Sequence, residues 1–497
     1  MIDLIPTIGL EIHAELSTAR KIFCKCENRF GGEANTRCCP VCRGLPGTLP
    51  VLNPQAVEYA IRAGLSLGCR IAGEDCVTNT TQPTRWDRKN YFYPDLPKAY
   101  QISQMPRPLC LKGADPRIHH IHLEEDAGKL LHEDESGATF SVKDAQVDFN
   151  RCGVPLLELV SEPVFHSIAE AIAFFGEVRT AYIYAGVCDG KMQEGSMRAD
   201  VNISLASKAD TEAGRLGTRS EIKNVNSLTA IEAALEYEIE RQTDIIVGGG
   251  AVTQDTRRWN SALGVTVSMR SKEDAHDYRY FPDPDIPTVW LTASQIDDIR
   301  RKLPETEAAR RARYAGEYKL PENTCDVLLS NVYFSNFYDS AVRIYNTGNA
   351  PANLANYFTT ELLRRINAGE IAPEELAPVE IANGGKLSAD GFAKLVMLVD
   401  EGKLSSANRK DVLREMLETG GSPSDICERR GLFIKEDLTL VSDTIQRILA
   451  ENSAAVEQYR AGDTKNFNFL MGKCNKELKG AATPAKIKEL LERLLSE

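Results

Sequence analysis

The 497-residue chain lacks any uninterrupted apolar run of about 18 residues, the length a membrane-spanning helix needs. Its opening string, MIDLIPTIGLEIHAEL, has neither a basic segment leading into an apolar block nor an Arg/Ser-rich pattern. The expectation is therefore a cytoplasmic protein. Positive charge is in deficit, with 59 Lys and Arg against 71 Asp and Glu, a formal net charge of −12. Such a balance argues against non-specific coating of nucleic acid, while leaving room for a local basic surface. The phosphate-binding string G-x4-G-K-[ST] is absent, which removes that mode of holding a nucleotide. The metalloprotease string H-E-x-x-H and the EF-hand loop are absent too. Charged residues make up 26% of the chain and hydrophobic ones 42%, enough apolar material to exclude disorder over most of its length.

What is present begins with cysteine. There are thirteen, an odd number in a chain without an export signal, so a disulfide framework is not expected. Cys24-x-Cys26 and Cys39-x2-Cys42 form two close pairs, the spacing of a closed four-thiolate zinc knuckle, with Cys38 as a competing ligand. A second group is scattered: Glu11 and His13, then Glu124-Glu125-Asp126, then Glu158. Two residues apart on one strand, Glu11 and His13 share a face. Carboxylates with one imidazole and no thiolate suit a hard ion such as Mg²⁺; the alternative is a set of solvated edge charges. The run from Arg85 to Asp95 interleaves base and aromatic, either for phosphate and base contacts or as a half-buried turn.

Residues 1–293 read as a mixed α+β unit. Strand-like alternation appears in IGLEIHAEL, RIHHIHLEED, AQVDFN, PLLELVSE, ADVNISL and RSEIKNV. One helix is expected from Ser167, with Glu170 completing a capping box, to near Gly186; another runs over 228–247. Beyond 293 the pattern turns helical, with a less marked boundary near 405. The final helix carries the stripe Ile487, Leu490, Leu491, Leu494 and Leu495. Between Lys465 and Lys488 lysines outnumber acids, the clearest local excess of positive charge.

The runs IGLEIHAEL (8–16), CPVCRGLPGTLPVLN (39–53), DRKNYFYPDLPKAYQISQ (87–104), HLEEDAGK (122–129), VDFNRCGVPLLELVSEP (147–163), EGSMRADVNISL (194–205), EIKNVNSL (221–228), RRWN (257–260) and DYRYFPDPDIP (277–287) follow one another in this chain. Together they resemble the B-subunit (GatB) family of aspartyl/glutamyl-tRNA amidotransferases. FLMGKCNKELKGAATPAKIKELLERLL (469–495) resembles that family's YqeY-like tail.

The resemblance implies a glutamine-synthetase-like cradle over 1–293, an all-helical domain over 294–405 and a YqeY-like, tRNA-binding tail over 406–497. It implies ATP-dependent activation of the side-chain carboxylate of Glu-tRNA-Gln, Asp-tRNA-Asn or both, followed by amidation. The ammonia would come from a partner amidase (the A component), with a small C component completing a heterotrimer. The chain lacks the extended Gly/Ser run of amidase-signature hydrolases, so it is not expected to hydrolyse glutamine itself. The implied Mg²⁺ ligands are Glu11, His13, Glu125 and Glu158, with Glu124 as the alternative to its neighbour. Catalytic roles fall to Glu125, Glu158, Lys89 and Arg88. The ATP cleft would draw on Lys89, Tyr91, Tyr93, Glu194, Arg198, Asp200, Lys223 and Asn224. Structural Zn²⁺ would sit on Cys24, Cys26, Cys39 and Cys42, and tRNA on Lys465, Lys473, Lys476 and Lys479. The rival expectation is a non-catalytic, zinc-containing tRNA-binding scaffold.

Overall fold

The computed structural model describes residues 3–72, 84–90, 98, 100–105, 107–131, 146–269, 279–377, 386–434, 438–460, 465–478 and 484–496. The chain divides into two compact units, Met1–Glu307 and Ala308–Glu497.

The first unit is built on a twelve-stranded sheet. Its longer strands are β1 (Leu4–Glu15), β2 (Asp87–Asn90), β3 (Tyr100–Ser103), β4 (Ile118–Glu125), β5 (Pro155–Ser161), β6 (Met197–Ser207), β7 (Ser220–Val225), β8 (Asp255–Asn260) and β9 (Val265–Ser268). They lie in the order β9-β8-β7-β6-β1-β5-β4-β3-β2, and three two-residue strands complete the sheet. Neighbouring pairs run antiparallel except β7 and β8, which are parallel. A parallel pair needs a crossover, and the helix Leu228–Val247 lies in the connection between them.

Strand alternation gives the sheet two unlike faces. Ile8, Leu10, Ile12 and Ala14 of β1 are at most 1% exposed and join one hydrophobic core with Leu157, Leu159, Val201 and Ile222. The helices Pro54–Ser66, Ile168–Tyr184 and Leu228–Val247 contribute to the same core through Ile61, Phe175 and Leu235. Each such Ile, Leu, Val or Phe side chain removed from water is worth about 1.5–3 kcal/mol relative to exposure. The intervening residues, Glu11, His13 and Glu15 on β1, point to the opposite, polar face.

Local signals set the helix ends. The Ser167 hydroxyl accepts from the Glu170 backbone, while the Glu170 carboxylate takes the His166 N–H at 2.8 Å. The box is thus closed one residue earlier than the sequence suggests, and the helix ends before Gly186 at φ +68°.

The second unit is mainly helical. Ser405 caps the helix Ser406–Thr419, which Gly420 ends in the left-handed region. Four helices, Leu438–Glu451, Ser453–Arg460, Lys465–Glu477 and Pro484–Ser496, pack around Val441, Ile445, Leu470, Cys474, Ile487 and Leu491.

Candidate active site

The polar face is organised by strand register. His13 on β1 stands opposite Arg198 of β6 on one side and Glu158 of β5 on the other; Glu158 in turn faces His122 of β4. Four strands therefore deliver one row, Arg198, His13, Glu158 and His122. His13 Nε2 lies 3.4 Å from Glu158 Oε2, and His122 Nε2 lies 3.6 Å from the same oxygen. Glu124, two residues along β4, brings its Oε2 to 3.8 Å from His122 Nε2. Ligand atoms of His13, Glu124 and Glu158 lie within 4.8 Å of one another, a separation one ion can bridge.

Electrostatics at this group favour charge separation. Burial works to raise the Glu158 carboxyl, but His122, His13 and Lys89 outweigh it and hold the group well below the usual carboxylate range. Burial pulls His13 down, yet the adjoining Glu158 lifts it above the ordinary imidazole value. A cation bound here would compete with protonation of His13.

A second acidic group adjoins the first through β1. Glu11, Asp200 and Glu221 also place ligand atoms within 4.8 Å of one another. Asn202 Nδ2 donates to Glu11 at 3.0 Å, and Lys223 Nζ bridges Asp200 at 2.5 Å and Glu221 at 2.8 Å. Burial, then the charge of Glu158, raises the Glu11 carboxyl. Further along β1, burial and neighbouring Asp126 push Glu15 up to about 7. Arg198 reaches Asp126 at 3.3 and 3.4 Å.

Glu125 does not join the His13 group. It ends β4 on the opposite face, where both carboxylate oxygens accept from Lys98 Nζ at 2.6 and 2.7 Å and one accepts the Ile102 N–H at 3.0 Å. Glu124, the sequence alternative, takes the place beside His13. Lys98 itself has φ +79° and sits 4.6 Å from the Tyr100 ring centroid. A buried lysine in the left-handed region is strained and held by its surroundings.

Arg88 and Lys89 separate across β2. Arg88 donates to Asp283 at 2.6 Å and Asp285 at 3.2 Å, with its guanidinium 4.8 Å from the Tyr100 ring centroid. Lys89 acts on Glu158 from the polar face. Glu194 pairs with Lys191 at 3.0 Å. Asn224 is exposed at φ +67°, donating to the Trp259 carbonyl at 3.0 Å. Lys465, Lys473 and Lys476 are exposed on the helix Lys465–Glu477. Tyr91, Tyr93 and Lys479 lie outside the described residues.

The cysteine pairs converge. Arg20 and Glu27 form a β-bridge that closes the turn bearing Cys24 and Cys26, while the Arg43 N–H donates to the Cys39 carbonyl around the second pair. The Sγ atoms of Cys39 and Cys26 are each 3.7 Å from that of Cys42, and Cys24 Sγ is 3.3 Å from it. Zinc–sulfur bonds of about 2.3 Å in a tetrahedron give S···S edges of about 3.8 Å, so the donor set fits zinc closely. Cys38 is turned instead to the Asn35 carbonyl. A Cβ on Gly44, at φ +65°, would stand 2.7 Å from Lys98 Cγ, so only glycine lets the knuckle lie against that lysine.

Sequence reasoning missed His122, Glu15 and Lys98. It also took the G-x-S-x-G spacing to be absent, whereas Gly64-Leu65-Ser66-Leu67-Gly68 has it. Ser66 ends a helix and donates to the Ala63 carbonyl at 2.8 Å, far from the strand-to-helix elbow a serine nucleophile needs.

Comparison with known proteins places the chain in a family. Residues 6–297 match the family profile described as the GatB/GatE catalytic domain, and residues 336–495 match the GatB domain profile. The B subunit of aspartyl/glutamyl-tRNA(Asn/Gln) amidotransferase from Ruminiclostridium cellulolyticum is 45% identical over 503 residues, covering 99% of this chain and 98% of that one. Its namesake in Caldicellulosiruptor saccharolyticus is 44% identical over 501 residues, with 99% and 98% covered. That of Thermodesulfovibrio yellowstonii is 41% identical over 502 residues, with 99% of each covered. On the length and evenness of these matches, the chain belongs to the family of aspartyl/glutamyl-tRNA(Asn/Gln) amidotransferase B subunits.

Proposed function

We propose that this chain activates the side-chain carboxylate of Glu-tRNA-Gln, Asp-tRNA-Asn or both, using ATP, and completes the amidation on the polar face of its sheet. The observation carrying this reading is the register row of His13, Glu158 and His122 with Glu124 beside it. Family membership supplies the reaction class.

A carboxylate is a poor electrophile. In this reading its oxygen attacks the γ-phosphorus, the bond to the ADP oxygen breaks, and an acyl phosphate results. Ammonia nitrogen then attacks the acyl carbon, inorganic phosphate leaves, and one proton is lost to give the neutral amide. Phosphoryl transfer asks chiefly for positioning and charge neutralisation. His13, Glu124 and Glu158 would hold Mg²⁺, with Glu11 at a neighbouring position. When bound, that ion neutralises phosphate oxygens. Lys89 adds fixed positive charge on the same face, and Lys223 and Arg198 orient the flanking carboxylates Asp200, Glu221 and Asp126. Glu125, paired with Lys98, supports the end of β4 instead of contacting this ion.

The remaining parts follow the family. The sheet domain would be a glutamine-synthetase-like cradle, the four cysteines a structural zinc knuckle, and the helical domain and YqeY-like tail the grip on tRNA. Ammonia would arrive from the partner amidase, in a cytoplasmic heterotrimer completed by the small C component.

The experiment is release of inorganic phosphate from ATP by the chain assembled with its amidase and small partners, with ammonium chloride as nitrogen source. Release should require Glu-tRNA-Gln or Asp-tRNA-Asn and disappear in Glu158→Ala. Tight tRNA binding without tRNA-dependent release from either substrate would reduce the protein to a scaffold.

A further inference from the structure

Lys21 is fully buried, at 0% exposure, and forms no ion pair with a carboxylate among the described residues. Its ammonium has two neighbours, Cys42 Sγ at 3.6 Å and the Phe149 carbonyl at 3.4 Å. Taking an ammonium out of water costs several kcal/mol unless an opposite charge accompanies it. A carbonyl dipole at 3.4 Å does not provide that charge. Of its two hydrogen-bond neighbours, only the sulfur can carry that charge.

We propose that Lys21 is the outer-sphere cation of the four-thiolate site, setting zinc affinity without touching the ion. The proposal rests on the zinc reading of Cys24, Cys26, Cys39 and Cys42. Four thiolates on a divalent ion leave a net charge of −2 in a partly buried knuckle. One buried ammonium beside Cys42, the ligand whose Sγ lies close to the other three, halves that excess. Its N–H can also donate to the Cys42 sulfur, as outer partners do for metal ligands generally.

The position is fixed by the knuckle's own backbone. The Lys21 N–H donates to the Cys26 carbonyl at 3.1 Å, closing the turn that carries Cys24 and Cys26. Asn53 Nδ2 lies 3.4 Å from the Lys21 carbonyl and 3.0 Å from that of Arg20. The side chain therefore starts from a segment that the metal ligands themselves order, and reaches the second cysteine pair. One residue thereby ties the two halves of the site together electrically.

The test is zinc affinity of the full-length chain, measured by chelator competition and by the thiolate-to-metal absorption of the cobalt-substituted protein. Lys21→Gln and Lys21→Met should weaken binding by about 10–100-fold, the usual effect of losing an outer partner. Lys21→Arg, which keeps the charge, should recover most of the affinity. In a Cys42→His background, where a neutral imidazole replaces one thiolate, the loss on Lys21→Gln should shrink. Wild-type protein that binds no zinc would overturn the zinc reading itself. Zinc bound by wild type with equal affinity in the Lys, Arg and Gln forms would overturn the role of Lys21 alone. Should Lys21→Met fail to fold, the Arg and Gln comparison decides the matter.

Discussion

Glu124 and Glu125 are neighbours in sequence and serve opposite faces of the sheet. Glu124 stands with His13 and Glu158, whereas Glu125 is closed into an ion pair with Lys98. Their substitutions should therefore fail differently. Glu124→Gln should leave stability nearly intact and lower tRNA-dependent phosphate release by roughly 100-fold or more, as loss of a charge-stabilising group does. Glu125→Gln strands a buried ammonium, which costs about 3 kcal/mol or more. Denaturant unfolding alongside turnover separates the two; equal stability losses would contradict the assignment.

Glu15 predicts a pH effect. Its carboxyl is raised from 4.5 to about 7 by burial and by Asp126. A raised carboxyl favours the neutral form in the folded state. Its contribution is intact below pH 4.5 and is lost as pH rises through about 7. Glu15→Gln should thus stabilise the protein at pH 8 by on the order of 2 kcal/mol and have little effect at about pH 4.5. Parallel denaturant melts at the two pH values check the sign.

The knuckle predicts a metal effect. Cys39→Ser removes one corner of the sulfur tetrahedron, so zinc content by elemental analysis should fall well below one per chain, and the melting temperature should fall with it. Full zinc occupancy in that variant would remove Cys39 from the ligand set.

The tail predicts a salt effect. Lys473 and Lys476 are exposed on one helix. Reversing both to Glu should weaken tRNA binding about tenfold at physiological salt and flatten the dependence of affinity on salt concentration. Unchanged affinity in filter binding across a salt series would move the tRNA surface elsewhere.

Much of this was legible in the sequence because it depends on local period. Alternation placed Glu11 and His13 on one face, Ser167 and Gly186 marked a helix, and cysteine spacing gathered four thiols. Other features depend on distant pairing. Glu124 and Glu125 are both carboxylates, so alternation alone left open which one faces His13. His122 gained its role only when β4 aligned with β5. The run from Arg85 to Asp95 reads either as phosphate and base contacts or as a half-buried turn; within it, Asp87–Asn90 pairs with β3 as a strand. Lys98 gave no local signal at all, since its strained backbone and its partner are properties of the folded chain.

The ladder that joins His13 to Glu158 and Arg198 has a consequence for how this chain can change over time. Because the strand period is two, deleting one residue between Leu4 and Ile12, with the start of the strand held in register, would carry Ala14 into the place of His13 and turn the imidazole toward the core. A β-bulge, of the kind this sheet shows between Ala199 and Val201, is the one way a strand here takes an extra residue without that inversion. Substitutions can therefore tune this surface gradually, but a length change inside its strands inverts a whole face unless a bulge absorbs it, which favours the connecting segments for insertions and deletions.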